Sequence, residues 1–309
     1  MEMRRSDRLS RLARAAAEHG IVVPAFNVFY MPVVKAICEA LSAHDTFGLV
    51  EVSRIELEKF AVPSISACAQ EYRKHADPRV TALHLDHIPV IDEDGLQVDW
   101  RPLIEEGIVS GYDSVMIDGS RLPFEENAAV TAEVVRMAHA EGALVEAELG
   151  SVVGHEAGPL PPYEELFASK AGFTDPEQAR EFVERTGVDW LSVSVGSVHG
   201  AIVGAAMDKA KVEAKLDVER VRELREATGV PLVLHGGSGV RQSYVAEAIR
   251  NGIAKINIAT DIRQPYDRVI ASGGSVEEAQ RAVVETIGGI IRGKYGIAGS
   301  ATKLADLVS

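Results

Sequence analysis

The chain has only two cysteines in 309 residues, Cys38 and Cys68, and both fall in helical patterns. So few exclude a disulfide-stapled scaffold and predict buried, reduced thiols. No run of about 18 apolar residues occurs, so no membrane-spanning helix is expected. The opening stretch, MEMRRSDRLSRLARAAAEHG, has arginines but no apolar core, which argues against a secretory signal. It reads instead as an amphipathic helix, with Leu9, Leu12 and Ala15 at helical spacing, in a cytoplasmic protein. Positive charge is also scarce: 32 Lys and Arg against 46 Asp and Glu leave a net charge of −14. A nucleic-acid surface, which needs clustered cations, is therefore excluded. Any anionic substrate must be captured locally, by backbone amides or a metal. Internal repeats, low-complexity tracts and linkers are missing too, so residues 1–309 read as one domain.

What is present is a regular alternation of short apolar strands and helical patterns. Strands are predicted at 20–27, 46–53, 80–87, 113–119, 144–150, 189–197, 231–236 and 254–260, with helices between them at 32–44, 64–76, 123–141, 175–187, 217–228 and 241–251. Pro32 suits a first helical turn, and Gly142 and Gly187 sit where helices should stop. Eight such strand–helix units with right-handed crossovers close most naturally into a (β/α)8 TIM barrel, here with an N-terminal helix and a C-terminal helical extension. A doubly wound sheet is the competing architecture, but it would not need that many units. The segment after 275 reads as one more helix, followed by YGIAGSATKL. The long loops 151–172 and 198–216 both follow strands, which places them at the C-terminal face where barrel active sites are built.

Alternation within the strands sorts side chains by face. In TALHLDHIPV (81–90), Leu83 and Leu85 should face the helices while His84 and Asp86 face inward. Strand five turns Glu146 and Glu148 inward, and strand eight Lys255 and Asn257. Buried charges need partners, and Lys255 with Glu146 is the expected pair.

Three histidines, His87, His199 and His235, fall at or just beyond the ends of strands three, six and seven. A lone histidine at a strand end is more often structural. Three at one barrel face match a catalytic zinc site with an open fourth position. HGGSGV (235–240) and NIATD (257–261) follow strands seven and eight, where barrels commonly cradle phosphate, although a tight turn would also demand glycine. His84 reads as a supporting group, His155 as a solvated loop residue, and His75 and His139 as helix-surface residues.

Taken together, LHLDH, SVMIDGS-LPFEEN, VEAELG, TDPEQAREFVERTGVDWL, LVLHGGSGV and KINIATD resemble the class II, metal-dependent ketose-bisphosphate aldolases over about residues 20–263. NIAT leans toward the tagatose-bisphosphate branch. The resemblance implies cleavage of a ketose 1-phosphate or 1,6-bisphosphate to dihydroxyacetone phosphate and an aldehyde. It implies His87, His199 and His235 as ligands of zinc or another divalent transition metal, with Glu148 near an alternative metal position. Asp86 matches the acid/base at the C4 hydroxyl. Glu156, in GHEAG, matches the carboxylate that exchanges a proton with dihydroxyacetone phosphate. Gly200, Gly236, Ser238, Asn257 and Thr260 match the groups holding the C1 phosphate and the enediolate, while Asn27 and Ser53 line the middle carbons. A monovalent cation (Na+ or K+) beside the phosphate and a homodimeric or homotetrameric assembly are implied as well. No lysine lies in DWLSVSV, so a Schiff-base mechanism has little support.

The pattern departs from the family in the distal half. The small turn after strand two is replaced by VSRIELEKF, and the glycine after LDH by Ile88 and a longer segment, IPVIDEDGLQVDW. Ala201 and Ile202 stand where Tyr-Lys is common, and ASGGSVEEAQ replaces an Asp-Pro-Arg segment that supplies a distal-phosphate arginine. These departures predict an aldehyde other than glyceraldehyde 3-phosphate, with Arg54 either meeting a different distal group or pairing with Glu56 or Glu58. Two other readings compete: a non-catalytic partner subunit, and a metal-dependent carbon–carbon lyase acting on an unphosphorylated keto acid. Retention of the histidines, Asp86 and Glu156 disfavours the first, and the glycine-rich turns disfavour the second.

Overall fold

A computed structural model describes residues 5–150, 163–197, 214–237 and 240–309. Within them the chain runs α1 (Arg5–His19), β1 (Val23–Asn27), α2 (Met31–Ala43), β2 (Gly48–Val52), α3 (Arg54–Lys59), α4 (Ile65–His75), β3 (Thr81–Pro89), α5 (Trp100–Val109), β4 (Ser114–Asp118), α6 (Phe124–Glu141) and β5 (Leu144–Leu149). It continues through α7 (Tyr163–Ser169), α8 (Pro176–Thr186), β6 (Trp190–Val193), α9 (Val218–Thr228), β7 (Leu232–Leu234), α10 (Gln242–Arg250), β8 (Ile253–Ile258), α11 (Thr260–Ala271), α12 (Val276–Gly289) and α13 (Ser300–Val308). The strands form a closed parallel barrel in the order β1-β2-β3-β4-β5-β6-β7-β8, sealed where Ala25 of β1 pairs with Asn257 of β8. The expected (β/α)8 architecture is therefore the one observed.

Local chemistry explains several elements. In α8, Asp175 accepts hydrogen bonds from the backbone N–H groups of Glu177 and Gln178 while Pro176 occupies the first turn. Such a cap contributes about 1 kcal/mol. The helix buries Ala179 and Phe182 against the barrel and ends at Gly187 (φ +69°), as α6 ends at Gly142 (φ +77°). The N-terminal segment is the expected amphipathic helix, with Leu9, Leu12 and Ala15 buried. Cys38 and Cys68 are buried free thiols on α2 and α4. No described helix is long and apolar enough to cross a membrane.

The helix expected after 275 is α12, extended by a π-helical turn, Ile290–Tyr295, and beyond Gly296 (φ +64°) the chain forms a further helix, α13, against α1. One expectation changes. The segment predicted as a loop over 151–172 contains α7, whose Tyr163 hydroxyl donates to the carbonyls of Gly196 and Lys215.

Candidate active site

Strict alternation along β3 would turn His84 and Asp86 inward but His87 out toward the helices. The register prevents this. Leu85 pairs with Val115 and Ile88 with Ile117, so β3 uses three steps where β4 uses two. A one-residue bulge of this kind re-aims the side chains around it. His87 takes φ +27°, a left-handed value uncommon outside glycine. Its ring meets that of His235 edge-on, with centroids 4.4 Å apart. Consecutive residues, Asp86 and His87, thereby serve one site.

His235, just beyond β7, places Nδ1 2.5 Å from His87 Nε2. The other nitrogens are held by carboxylates: His87 Nδ1 lies 3.3 Å from Asp118 Oδ2, and His235 Nε2 lies 2.9 Å from Glu146 Oε1. Ionised carboxylates only accept, so those outer nitrogens carry the hydrogens and the facing pair presents lone pairs. Two lone pairs this close demand a cation at the shared edge, a proton or a metal ion. His87 shows the same demand: burial opposes its charge, but Asp86 and Asp118 push its pKa up to about 10. Burial and the neighbouring His87 push His235 down.

Carboxylates that fix imidazole tautomers are the usual outer support of a metal-binding histidine. Asp86, His87 and His235 bring one ligand atom each within 4.8 Å of one another, and His87, Asp118 and Glu148 form a second such group. The residues present therefore fit a divalent metal. Glu148 Oε2 accepts from Ser192 Oγ at 3.1 Å and lies 3.8 Å from His235 Nδ1. Burial and the charge of Asp118 push its pKa up to about 8.

Asp86 is bracketed by two amides. Asn27 Nδ2 donates to Oδ2 at 3.2 Å and Asn257 Nδ2 to Oδ1 at 2.9 Å. Burial disfavours its charge, yet His87 and Lys255 hold its pKa well below the usual carboxylate range. Asp86 is thus an ionised, oriented carboxylate beside the histidine pair. Beneath it Lys255 pairs with Glu146 at 2.9 Å, as expected, and also with Glu51 at 3.4 Å. His84 does not join the histidine pair. Its Nδ1 contacts Ser114 Oγ at 2.7 Å, and burial with the Lys255 charge pushes its pKa down to about 3, so the ring is neutral.

The remaining predicted positions divide. Gly236 follows His235 with φ +69°, and Thr260 opens α11 two residues after β8. Ser53 caps α3 from the end of β2, and its N–H and hydroxyl both donate to Glu56 Oε2, at 2.6 and 2.5 Å. Glu56 is therefore Ser53's partner and not that of Arg54, which pairs with Glu58 at 2.8 Å and Asp92 at 3.4 Å. Glu156, His199, Gly200 and Ser238, with His155, Ala201 and Ile202, lie outside the described residues. His75 and His139 are on helices, beside Glu71 and Asp189.

Three site residues escape a reading by catalytic motif: Glu51, Glu56 and Asp118. Glu56 had a signal in its capping-box spacing after Ser53, and Glu51 and Asp118 had another. Each of these two is a lone carboxylate on an apolar strand, in GLVEVS and VMIDGS, where alternation or the strand end puts it near the barrel axis.

A closed (β/α)8 barrel with imidazoles and carboxylates gathered at the C-terminal ends of its strands defines a barrel enzyme acting at that face. The chain belongs to the class-II fructose-bisphosphate aldolase family, whose profile matches residues 7–303, and it is an aldehyde-lyase. Among solved structures, the YdjI aldolase from Escherichia coli K12 is 27% identical, with 95% of this chain and 98% of that one covered and a TM-score of 0.75. A putative fructose-1,6-bisphosphate aldolase from Coccidioides immitis is also 27% identical, with 94% and 97% covered and a TM-score of 0.73. A fructose-bisphosphate aldolase from Campylobacter jejuni shares the fold at 18% identity, 96% coverage of both chains and a TM-score of 0.72.

Proposed function

We propose that the protein reversibly cleaves a ketose 1-phosphate or 1,6-bisphosphate to dihydroxyacetone phosphate and an aldehyde, using zinc or another divalent metal. The observation that carries this reading is the ionised Asp86, held between Asn27 and Asn257 beside the facing His87–His235 pair. His87, His235 and, in the segment after β6, His199 would hold the metal, with Glu148 at an alternative position. When bound, it would act as a Lewis acid on the ketose oxygens. Asp86 takes the proton of the C4 hydroxyl as the C3–C4 bond breaks, and its fixed carboxylate keeps that proton path short. Glu156 exchanges a proton with the three-carbon product. Gly200, Gly236, Ser238, Asn257 and Thr260 receive the phosphate end, with a monovalent cation beside it, and Asn27 and Ser53 line the middle carbons.

The aldehyde differs from glyceraldehyde 3-phosphate. Arg54, the cation introduced after β2, is already engaged by Glu58 and Asp92, and neighbouring Lys59 by Glu93 at 2.8 Å. The acidic stretch 92–94 thus offsets the local cations that would receive a distal phosphate. The single barrel 1–309 works in the cytoplasm as a homodimer or homotetramer, in keeping with the sequence resemblance.

Two assays test the reading. Dihydroxyacetone phosphate should exchange a carbon-bound proton with solvent, and a chelator should stop the exchange; no exchange by the metal-loaded protein would refute aldolase chemistry. Ketose 1-phosphates should be cleaved with higher kcat/KM than fructose or tagatose 1,6-bisphosphate. Bisphosphate turnover at ordinary enzyme efficiency would refute the assignment of the aldehyde.

A further inference from the structure

Lys255 is fully buried and offers only donors. Its ammonium donates to Asn257 Oδ1 at 2.7 Å and lies 2.9 Å from Glu146 Oε2 and 3.4 Å from Glu51 Oε2. Lys255 and Asn257 are two residues apart on β8 and so share its inner face, the longer side chain reaching up beneath the amide. On its far side the same amide donates through Nδ2 to Asp86 Oδ1 at 2.9 Å. An amide placed between an ammonium and a carboxylate has one permissible orientation: its oxygen must face the donors and its NH2 the acceptor.

We infer that Lys255 is a positioning residue for cleavage, acting through Asn257 to lock the carboxylate of Asp86 in its proton-accepting geometry. The ammonium is itself held by Glu146, which also accepts from His235 Nε2 at 2.9 Å, so the two halves of the site share one support. Glu51 also lies against the ammonium, at 3.4 Å, and neither of its oxygens has a hydrogen-bond partner among the described residues. Burial and the charge of Asp86 push its pKa well above the ordinary range, which leaves Glu146 as the ionised partner of Lys255. The remaining amide at Asp86, Asn27 Nδ2, is longer at 3.2 Å, which makes Asn257 the closer of the two holds.

The inference rests on Asp86 being the proton acceptor in cleavage, and the test keeps the two ideas apart. Lys255→Met retains the apolar stem and removes the ammonium. It should lower kcat for ketose phosphate cleavage by roughly 10–100-fold, the scale of a small misplacement of a reacting group. KM should stay within about threefold and metal content should be unchanged. In an Asn257→Ala background the same substitution should cost less than about twofold more, because the effect runs through that amide; residues acting as a unit are not additive. Independent, multiplicative losses, or a rise in KM with kcat unchanged, would overturn the inference. If Lys255→Met does not fold, Glu51→Leu/Lys255→Met removes the facing carboxyl together with the ammonium and carries the same comparison. A wild-type crystal structure at atomic resolution gives a measurement free of variants: Asn257 Oδ1 facing Asp86 would refute the inference outright. Should Asp86→Asn leave cleavage intact, the role of Asp86 fails; should it abolish cleavage while Lys255→Met does nothing, only the positioning role fails.

Discussion

His235 Nδ1 stands 2.5 Å from His87 Nε2, and the opposite edge of each ring rests on a carboxylate, Glu146 for one and Asp118 for the other. The site therefore selects which nitrogen each ring presents. Asp118→Asn keeps an oxygen that can accept from His87 Nδ1 but loses the charge. Metal affinity should fall by about 10–100-fold, read by competition against a chelator of known affinity. Unchanged affinity would show that Asp118 does not support the ligand.

Asp86→Asn and Glu156→Gln should separate the two proton transfers. The first should lower cleavage by roughly 10²–10⁴-fold and spare exchange of the dihydroxyacetone phosphate proton; the second should abolish that exchange. Exchange is followed by loss of the carbon-bound proton signal in deuterated buffer. The reverse pattern would exchange the roles of the two carboxylates.

Glu56 ties stability to pH. Burial pushes its pKa up from 4.5 to about 7, against the hydrogen bonds from Ser53 that favour ionisation. The folded state thus binds this proton more tightly than the unfolded state does. The stability it contributes is complete below 4.5 and is lost as the pH rises through 7. Glu56→Gln keeps an acceptor for the Ser53 N–H and removes the titration. Between about pH 5 and pH 8, wild type should lose roughly 2–4 kcal/mol relative to the variant, at about 1.4 kcal/mol per pKa unit. Urea midpoints across that range measure the difference; parallel profiles would show that Glu56 titrates alike in both states.

Gly150 closes β5 with φ +96°, and a Cβ there would lie 2.6 Å from Thr174 Oγ1 and 3.1 Å from the Gly172 carbonyl. Thr174 cannot yield easily, because its hydroxyl donates to the Leu149 carbonyl at 2.5 Å and accepts from the Ser194 N–H at 2.8 Å. Gly150→Ala should destabilise the fold by about 1–3 kcal/mol in equilibrium denaturation. A smaller loss would mean that the strand ends adjust more freely than these bonds imply.

Much of the site was legible because strand alternation is a local rule. Lys255 and Glu146 each sit between apolar neighbours on a strand, so inward placement and mutual pairing followed from burial cost. Asp86 was legible for the same reason. Glu56 had a local signal as well, standing three residues after Ser53 at the spacing of a capping box; its carboxylate folds back on Ser53 while Arg54 turns to Glu58 and Asp92.

The sequence by itself determined the period-two strands, the helix caps between them and the polar set turned toward the barrel axis, since each depends on neighbours a few residues away. Its strand-end position marked His87 as a site residue, but alternation could not put it with Asp86 on that axis. By alternation the two belong on opposite faces. The extra residue that brings them together exists only relative to β4, in the step between Leu85–Val115 and Ile88–Ile117. Register is a relation between strands, so the closed barrel decided it, and with it the meeting of His87 and His235.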